Sequence, residues 1–181
     1  KFLDNLISVI STCGIAVPSF VICTVLMYFL GVHLKILPTY GLTSWKHYVM
    51  PVMALSFYPM AYIMRLMRSS MLDVLGQDYM RTCKAKGVSQ AVSIFKHALR
   101  NAILPVITYV GPMLAYTLTG SFVVEKIFTI PGLGGEFIGS ISSRDYTVIM
   151  GTTIFLATLL IVMNVIVDII YKIVDPRIKL N

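Results

Sequence analysis

"TCKAKGVSQAVSIFKHALRNAILP", residues 82–105, lies between two long apolar stretches and is unlike either. Before Asn101 it carries Lys84, Lys86, Lys96 and Arg100, no acid, and a glycine at position 87. From Val88 the apolar residues recur as Val88, Ala91, Val92, Phe95, Leu99 and Ala102, the i, i+3, i+4, i+7 spacing of a helix with one apolar stripe. Ser89, Gln90, Ser93, Lys96, His97 and Arg100 fall on its other face. Upstream, residues 72–86 predict a second helix, with Leu75, Tyr79 and Cys83 stacked at i, i+4 and i+8. Gly87 is expected to end it, because glycine takes the left-handed conformation that closes one helix and redirects the chain into the next. The stretch therefore predicts a basic helix, glycine turn, helix unit.

Its surroundings are hydrocarbon-like. A chain of 181 residues that is 57% hydrophobic and 13% charged, with mean hydropathy +0.82, has more apolar surface than a soluble domain of that size buries. Spans are expected at 6–32, 46–66, 101–124 and 146–171, each near or above the roughly 20 residues that cross about 30 Å of hydrocarbon. The second is the shortest, and snorkelling by Arg65 extends it. The first is too long for a signal-peptide core and has no cationic leader or small-residue cleavage site beside it. The expected fold is all-α, a polytopic bundle of four transmembrane helices in a single domain, with an inner loop at 68–100 and an outer loop at 125–145.

Charge sets the orientation. With Lys1 inside, Arg65, Arg68, Arg81, Lys84, Lys86, Lys96, Arg100, Lys172, Arg177 and Lys179 are inside too, eleven cations in all, against Lys35, Lys46, Lys126 and Arg144 outside. The net charge of +7 then reads as topology and attraction to membrane lipid. A nucleic-acid partner is not expected, because the basic loop offers only Tyr79 as a stacking platform. Cys13, Cys23 and Cys83 form no C-x-x-C pair, and His33, His47 and His97 have no metal-ligand spacing. No catalytic, cofactor-binding or metal-binding residue is assigned. An intramembrane hydrolase would need an Asp pair, a Ser/His pair or metal ligands at mid-membrane, which these spans lack.

Pro18, Pro51, Pro59 and Pro112 fall inside the apolar runs, where they kink helices and free carbonyls that a neighbouring helix or a water-lined cavity must satisfy. Trp45 and Tyr48, with Tyr28 and Phe29, read as interfacial anchors at the outer side. In the outer loop, Pro131, Gly132, Gly134 and Gly135 force a turn, after which Phe137, Ile138 and Ile141 share one face of a short interfacial helix packed on the bundle. The polar groups best placed to line a cavity are Ser56 and Tyr58 in the second span and Tyr109, Tyr116, Thr117, Thr119 and Ser121 in the third. Helix-helix hydrogen bonding is the competing use of the same groups. The basic hairpin likewise has two readings: a surface element resting on lipid headgroups, or a docking element that passes a partner's motion into the bundle.

The run "RTCKAKG…HALRNAILP", 81–105, resembles the cytoplasmic loop of permease subunits of binding-protein-dependent ABC importers, in which a proline follows the loop glycine by eighteen residues, as Pro105 follows Gly87. More narrowly it resembles the B-type subunits of the oligopeptide/dipeptide branch. "VVEKIFTIPGLGG" from Val123, "RDY" from Arg144, "VDIIY" from Val167 and "DPRI" from Asp175 extend the resemblance, in order, along essentially the whole chain. Arg81, Thr82 and Cys83 depart from it, standing where the general family has Glu, Ala and Ala.

The resemblance implies a type I importer (MetI-like) permease of the prokaryotic plasma membrane, multi-pass, with the coupling loop and C-terminus cytoplasmic. It also implies two further N-terminal helices with an outer domain between them, so the chain reads as the last four of six. The implied partners are a second permease subunit in a heterodimer, two cytosolic ATP-binding subunits and an extracytoplasmic substrate-binding protein. Arg81, Lys84, Ala85, Lys86, Gly87, Val88 and Ala91 would dock an ATPase subunit. ATP hydrolysis is expected on that separate chain, since no Walker A loop is present here. The solute would be a peptide or a related small molecule. A non-transporting scaffold whose hairpin binds lipid or a signalling partner is the alternative.

Overall fold

The structure, a computed structural model, describes residues 2–174; the "DPRI" motif, Arg177, Lys179 and the C-terminus lie outside the described residues. All regular structure among the described residues is helical. Helix α1 (Phe2–Ala16) is followed by α2 (Ser19–Leu26), which runs on as a π-helical stretch (Met27–His33). The two are bent by 102° at their junction. The run 6–32, read from sequence as one span, is thus two helices. Pro18 causes the break: it has no N–H to donate, its ring disfavours a helical Val17, and its own ψ of 145° is extended.

Helix α3 (Lys46–Leu75) runs through Pro51 and Pro59 and continues beyond residue 66, well past the expected end of the second span. The helix expected at 72–86 is interrupted at Gln77, whose ψ of 151° is extended, and α4 (Asp78–Ala85) starts after it. Helix α5 (Gln90–Ala102) has a π-helical centre (Ser93–Ala98) and meets α6 (Leu104–Leu118) at 48°. The run 101–124 is therefore bent at its start, just ahead of Pro105, and its long helix stops at Leu118. Gly120, at φ +86°, turns the chain away. The rest of the run belongs to α7 (Phe122–Phe128), after which come α8 (Leu133–Ser143) and α9 (Tyr146–Val174).

Among the described residues two helices, α3 and α9, are long and apolar enough to cross a membrane, and up to four spans result if each bent pair counts as one. Close packing is achieved with small residues. A Cβ on Gly14 would collide with Ala61, bringing α1 against α3, and one on Gly111 would collide with Val167, bringing α6 against α9. The main buried cluster, Cys23, Met50, Ala54, Val124 and Phe128, sits where α2, α3 and α7 meet. Near the far end of α3, Arg68 donates Nε and Nη2 to the two carboxylate oxygens of Asp4 at 2.7 and 2.9 Å, joining it to the start of α1. Much of the remaining surface is large and apolar, as at Ile154, Ile161 and Ile173 along α9.

The segment after α6 is held by a buried acid. Glu125, only 8% exposed, accepts a hydrogen bond from the Gly135 N–H at 2.6 Å, in the first turn of α8. Side chains at Gly120 or Gly132 would run into this carboxylate. The short helix expected after Pro131 is present as α8, with Phe137 half-buried, but Ile138 and Ile141 remain exposed and the buried residue is Ser140. The expected apolar face therefore is not packed on the bundle as a unit.

Candidate functional site

The hairpin is built on a glycine cap. Gly87 has φ +72°. Its N–H donates to the Lys84 carbonyl at 3.1 Å and the Val88 N–H donates to the Cys83 carbonyl at 3.2 Å, so the last free carbonyls of α4 are satisfied by the turn itself. Ser89 then caps α5, its side chain accepting from the Val92 N–H. Asn101 Nδ2 donates to the Tyr79 hydroxyl at 2.9 Å and ties the base of the hairpin together.

At its tip Arg81, Lys84, Ala85, Lys86, Gly87 and Ala91 are all exposed and Val88 is half-buried. Arg81 lies 3.5 Å from Asp78, an ion pair exposed on both sides. The apolar stripe read from the sequence is not the packed face. Of that stripe only Ala102 is buried, and Ser93 and Ala98 from outside it are buried with it, while Val92 is exposed and Phe95 is 72% exposed. The π-helical centre explains this, because an i, i+5 turn shifts every later residue around the axis relative to an α-helix. The bilayer-facing or partner-facing surface of α5 therefore carries an aromatic ring.

A second feature lies between the helices. A cavity of about 630 Å³ is lined by Val17 and Ser19 at the α1–α2 bend, by Tyr58 and Pro59 on α3, and by Tyr109, Pro112, Tyr116 and Thr117 on α6. Thr119, Gly120 and Ser121 complete it. Six of the seven residues singled out from sequence for a path, Tyr58, Tyr109, Tyr116, Thr117, Thr119 and Ser121, thus line one cavity. Ser56 does not. Its hydroxyl donates to the Met53 carbonyl at 3.1 Å, and it faces an apolar groove of about 540 Å³ with Gly14, Phe57 and Ala61. Two residues along an α-helix turn roughly 200° about its axis, so Ser56 and Tyr58 point to opposite sides.

Tyr62 escaped the sequence reading. Its ring centroid is 4.3 Å from that of Tyr109 and 6.2 Å from that of Tyr58. The available signal was its i, i+4 spacing from Tyr58, which places both on one helix face. Glu125 was also missed as a structural centre, although one acid followed by three glycines within ten residues marks a carboxylate that backbone approaches closely.

Comparison with known proteins gives the family. The chain is 53% identical over 180 residues to the dipeptide transport system permease protein of Bacillus subtilis (strain 168), an overlap covering 99% of this chain and 58% of that protein. It is 46% identical over 178 residues to the corresponding dipeptide permease protein of Lactococcus lactis subsp. cremoris (strain MG1363), covering 98% and 59%. It is 41% identical over 179 residues to the glutathione transport system permease protein of Escherichia coli (strain K12), covering 99% and 58%. The chain spans just under three fifths of the length of these relatives. A match to the binding-protein-dependent transport system inner membrane component extends over residues 1–180, and the chain belongs to that family.

Proposed function

We propose that the chain is part of a permease subunit of an ATP-driven ABC importer for peptides or related small solutes. It forms half of a translocation path with a second, different permease subunit and receives solute from an extracytoplasmic binding protein. In this reading the hairpin at 68–100 faces the cytosol and seats in a cleft on one of two ATPase subunits, which carry out the hydrolysis. The relatives' dipeptide and glutathione transport supports a peptide-like solute. The observation that carries the docking role is the exposure pattern of the hairpin. Its inward edge, Ser93, Ala98 and Ala102, is buried, while Lys84 to Gly87 and the Phe95 ring stand free on the other side. Cations around an apolar knob suit a cleft with an acidic rim.

The test is co-purification of the full-length permease with its ATPase subunits, comparing wild type, Gly87→Val and Ala85→Glu. A Cβ at Gly87 meets nothing within 4 Å, so valine there disturbs the left-handed turn without a clash. Ala85 is exposed, so glutamate there alters the docking face without disturbing a core. Loss of the ATPases in both variants, with normal membrane insertion, is the expected result. Retention in both would assign the hairpin to the lipid surface instead.

A further inference from the structure

We infer that the tyrosine-walled cavity is a transit site for an organic ammonium group, such as the charged amino end of a peptide. The inference rests on the transport reading above and names what that path accepts. Among the described residues the cavity lining contains no acidic or basic side chain. What it contains is electron density for a cation to approach. Tyr58, Tyr109 and Tyr116 line it, and the Tyr62 ring packs against Tyr109 at a tilt of 31°. Faces of aromatic rings attract ammonium groups electrostatically, more strongly where water is excluded.

Two hydroxyls of the lining are biased in the same sense. Thr117 already donates its hydroxyl proton to the Met113 carbonyl at 2.8 Å, and Thr119 donates to the Tyr116 carbonyl at 2.9 Å. Each hydroxyl therefore has only lone pairs left to offer. One proline in the lining adds an acceptor: Pro59 has no N–H to give the Leu55 carbonyl, and Leu55 itself lines the cavity. Rings, threonine lone pairs and the proline-freed Leu55 carbonyl together favour a ligand that is positive and carries N–H donors. The absence of a carboxylate from this lining keeps such binding weak, as a transit site requires, because a bound cation must leave as readily as it enters.

The test uses the full-length permease in lipid nanodiscs and two probes of one shape, choline and its neutral isostere 3,3-dimethylbutan-1-ol. Binding is read by saturation-transfer NMR, with empty nanodiscs correcting for partition into lipid. Choline is expected to bind up to about tenfold more tightly than the isostere. That preference should persist in Tyr58→Phe and Tyr109→Phe and vanish in the double Tyr58→Leu/Tyr109→Leu variant. Should the double variant fail to fold, Tyr116→Leu with Thr117→Val, at exposed positions, makes the same comparison. Equal binding of the two probes, binding of neither, or a preference that survives loss of the rings overturns the inference. Co-purification of the ATPases without a choline preference would sink this inference alone. A choline preference without co-purification would instead leave a cation site in a protein that is not an importer.

Discussion

A buried carboxylate needs donors, and Glu125, in α7, takes one from the backbone of a glycine-rich helix start. Its acceptor oxygen sits at the N-terminal turn of α8, where free N–H groups and the helix dipole favour negative charge. Gly132 has φ −158°, a conformation open to any residue, so its role is steric: a methyl group there would meet the Glu125 carboxylate. Glu125→Ala strands the Gly135 N–H and should lower stability by about 1–3 kcal/mol. Gly132→Ala should cost a similar amount by displacing the same acid. Because both remove one contact, the double variant is expected to be little worse than either single one. Thermal unfolding of the four species in detergent checks this, and full additivity would show that the two residues act separately. Gly87 contrasts with Gly132, since nothing crowds it and its requirement is the left-handed φ of +72°.

Helix α5 shows why a face cannot always be read from spacing. Its π-helical centre turns Ser93 and Ala98, five residues apart, to one side and leaves Phe95 on the other. Phe95→Ala should therefore leave the unfolding midpoint nearly unchanged while reducing retention of the ATPase subunits several-fold, as loss of an aromatic anchor does. Ala98→Leu should do the reverse first, costing about 1–3 kcal/mol through overpacking at a fully buried site. A stability loss in Phe95→Ala as large as that in Ala98→Leu would mean that the α-helical stripe, not the π register, describes the packed face. The hairpin itself was legible from Gly87 and the apolar recurrence around it. The register was not, since an i, i+5 turn arises from packing against α3 and α4 and leaves no compositional mark. The same limit applies to the cavity. Tyr58, Tyr109, Tyr116 and Thr117 were identifiable as polar groups in apolar runs, but separating Ser56 from them required knowing which side of α3 meets α6. The Pro18 break was legible as a kink, whereas its 102° size was not, because proline removes a hydrogen bond without fixing the direction the chain then takes.

For the whole molecule the question is whether the α1–α2 pair crosses the bilayer despite its bend. Its contacts run along α3 from one end to the other. Asp4 pairs with Arg68, Gly14 abuts Ala61, and Cys23 packs with Met50 and Ala54. Met50 and Arg68 are separated on α3 by about 27 Å at the α-helical rise, close to the roughly 30 Å thickness of a hydrocarbon core. A pair that begins beside Arg68 and ends beside Met50 therefore has the reach to cross the membrane in two oblique steps. A crossing of that kind would place the chain start and the hairpin on one side, and the 34–45 loop and α8 on the other. Single cysteines in a cysteine-free full-length protein test it, at the exposed positions Asn5, Thr43, Lys84 and Glu136. In inside-out vesicles an impermeant maleimide should label Asn5→Cys and Lys84→Cys, whereas Thr43→Cys and Glu136→Cys should react only after permeabilisation. Labelling of Asn5→Cys together with Thr43→Cys would make the bent pair a re-entrant element. Lys84→Cys and Glu136→Cys are expected to report on opposite sides even in that case, because α6 lies between them in the chain independently of how α1 and α2 lie.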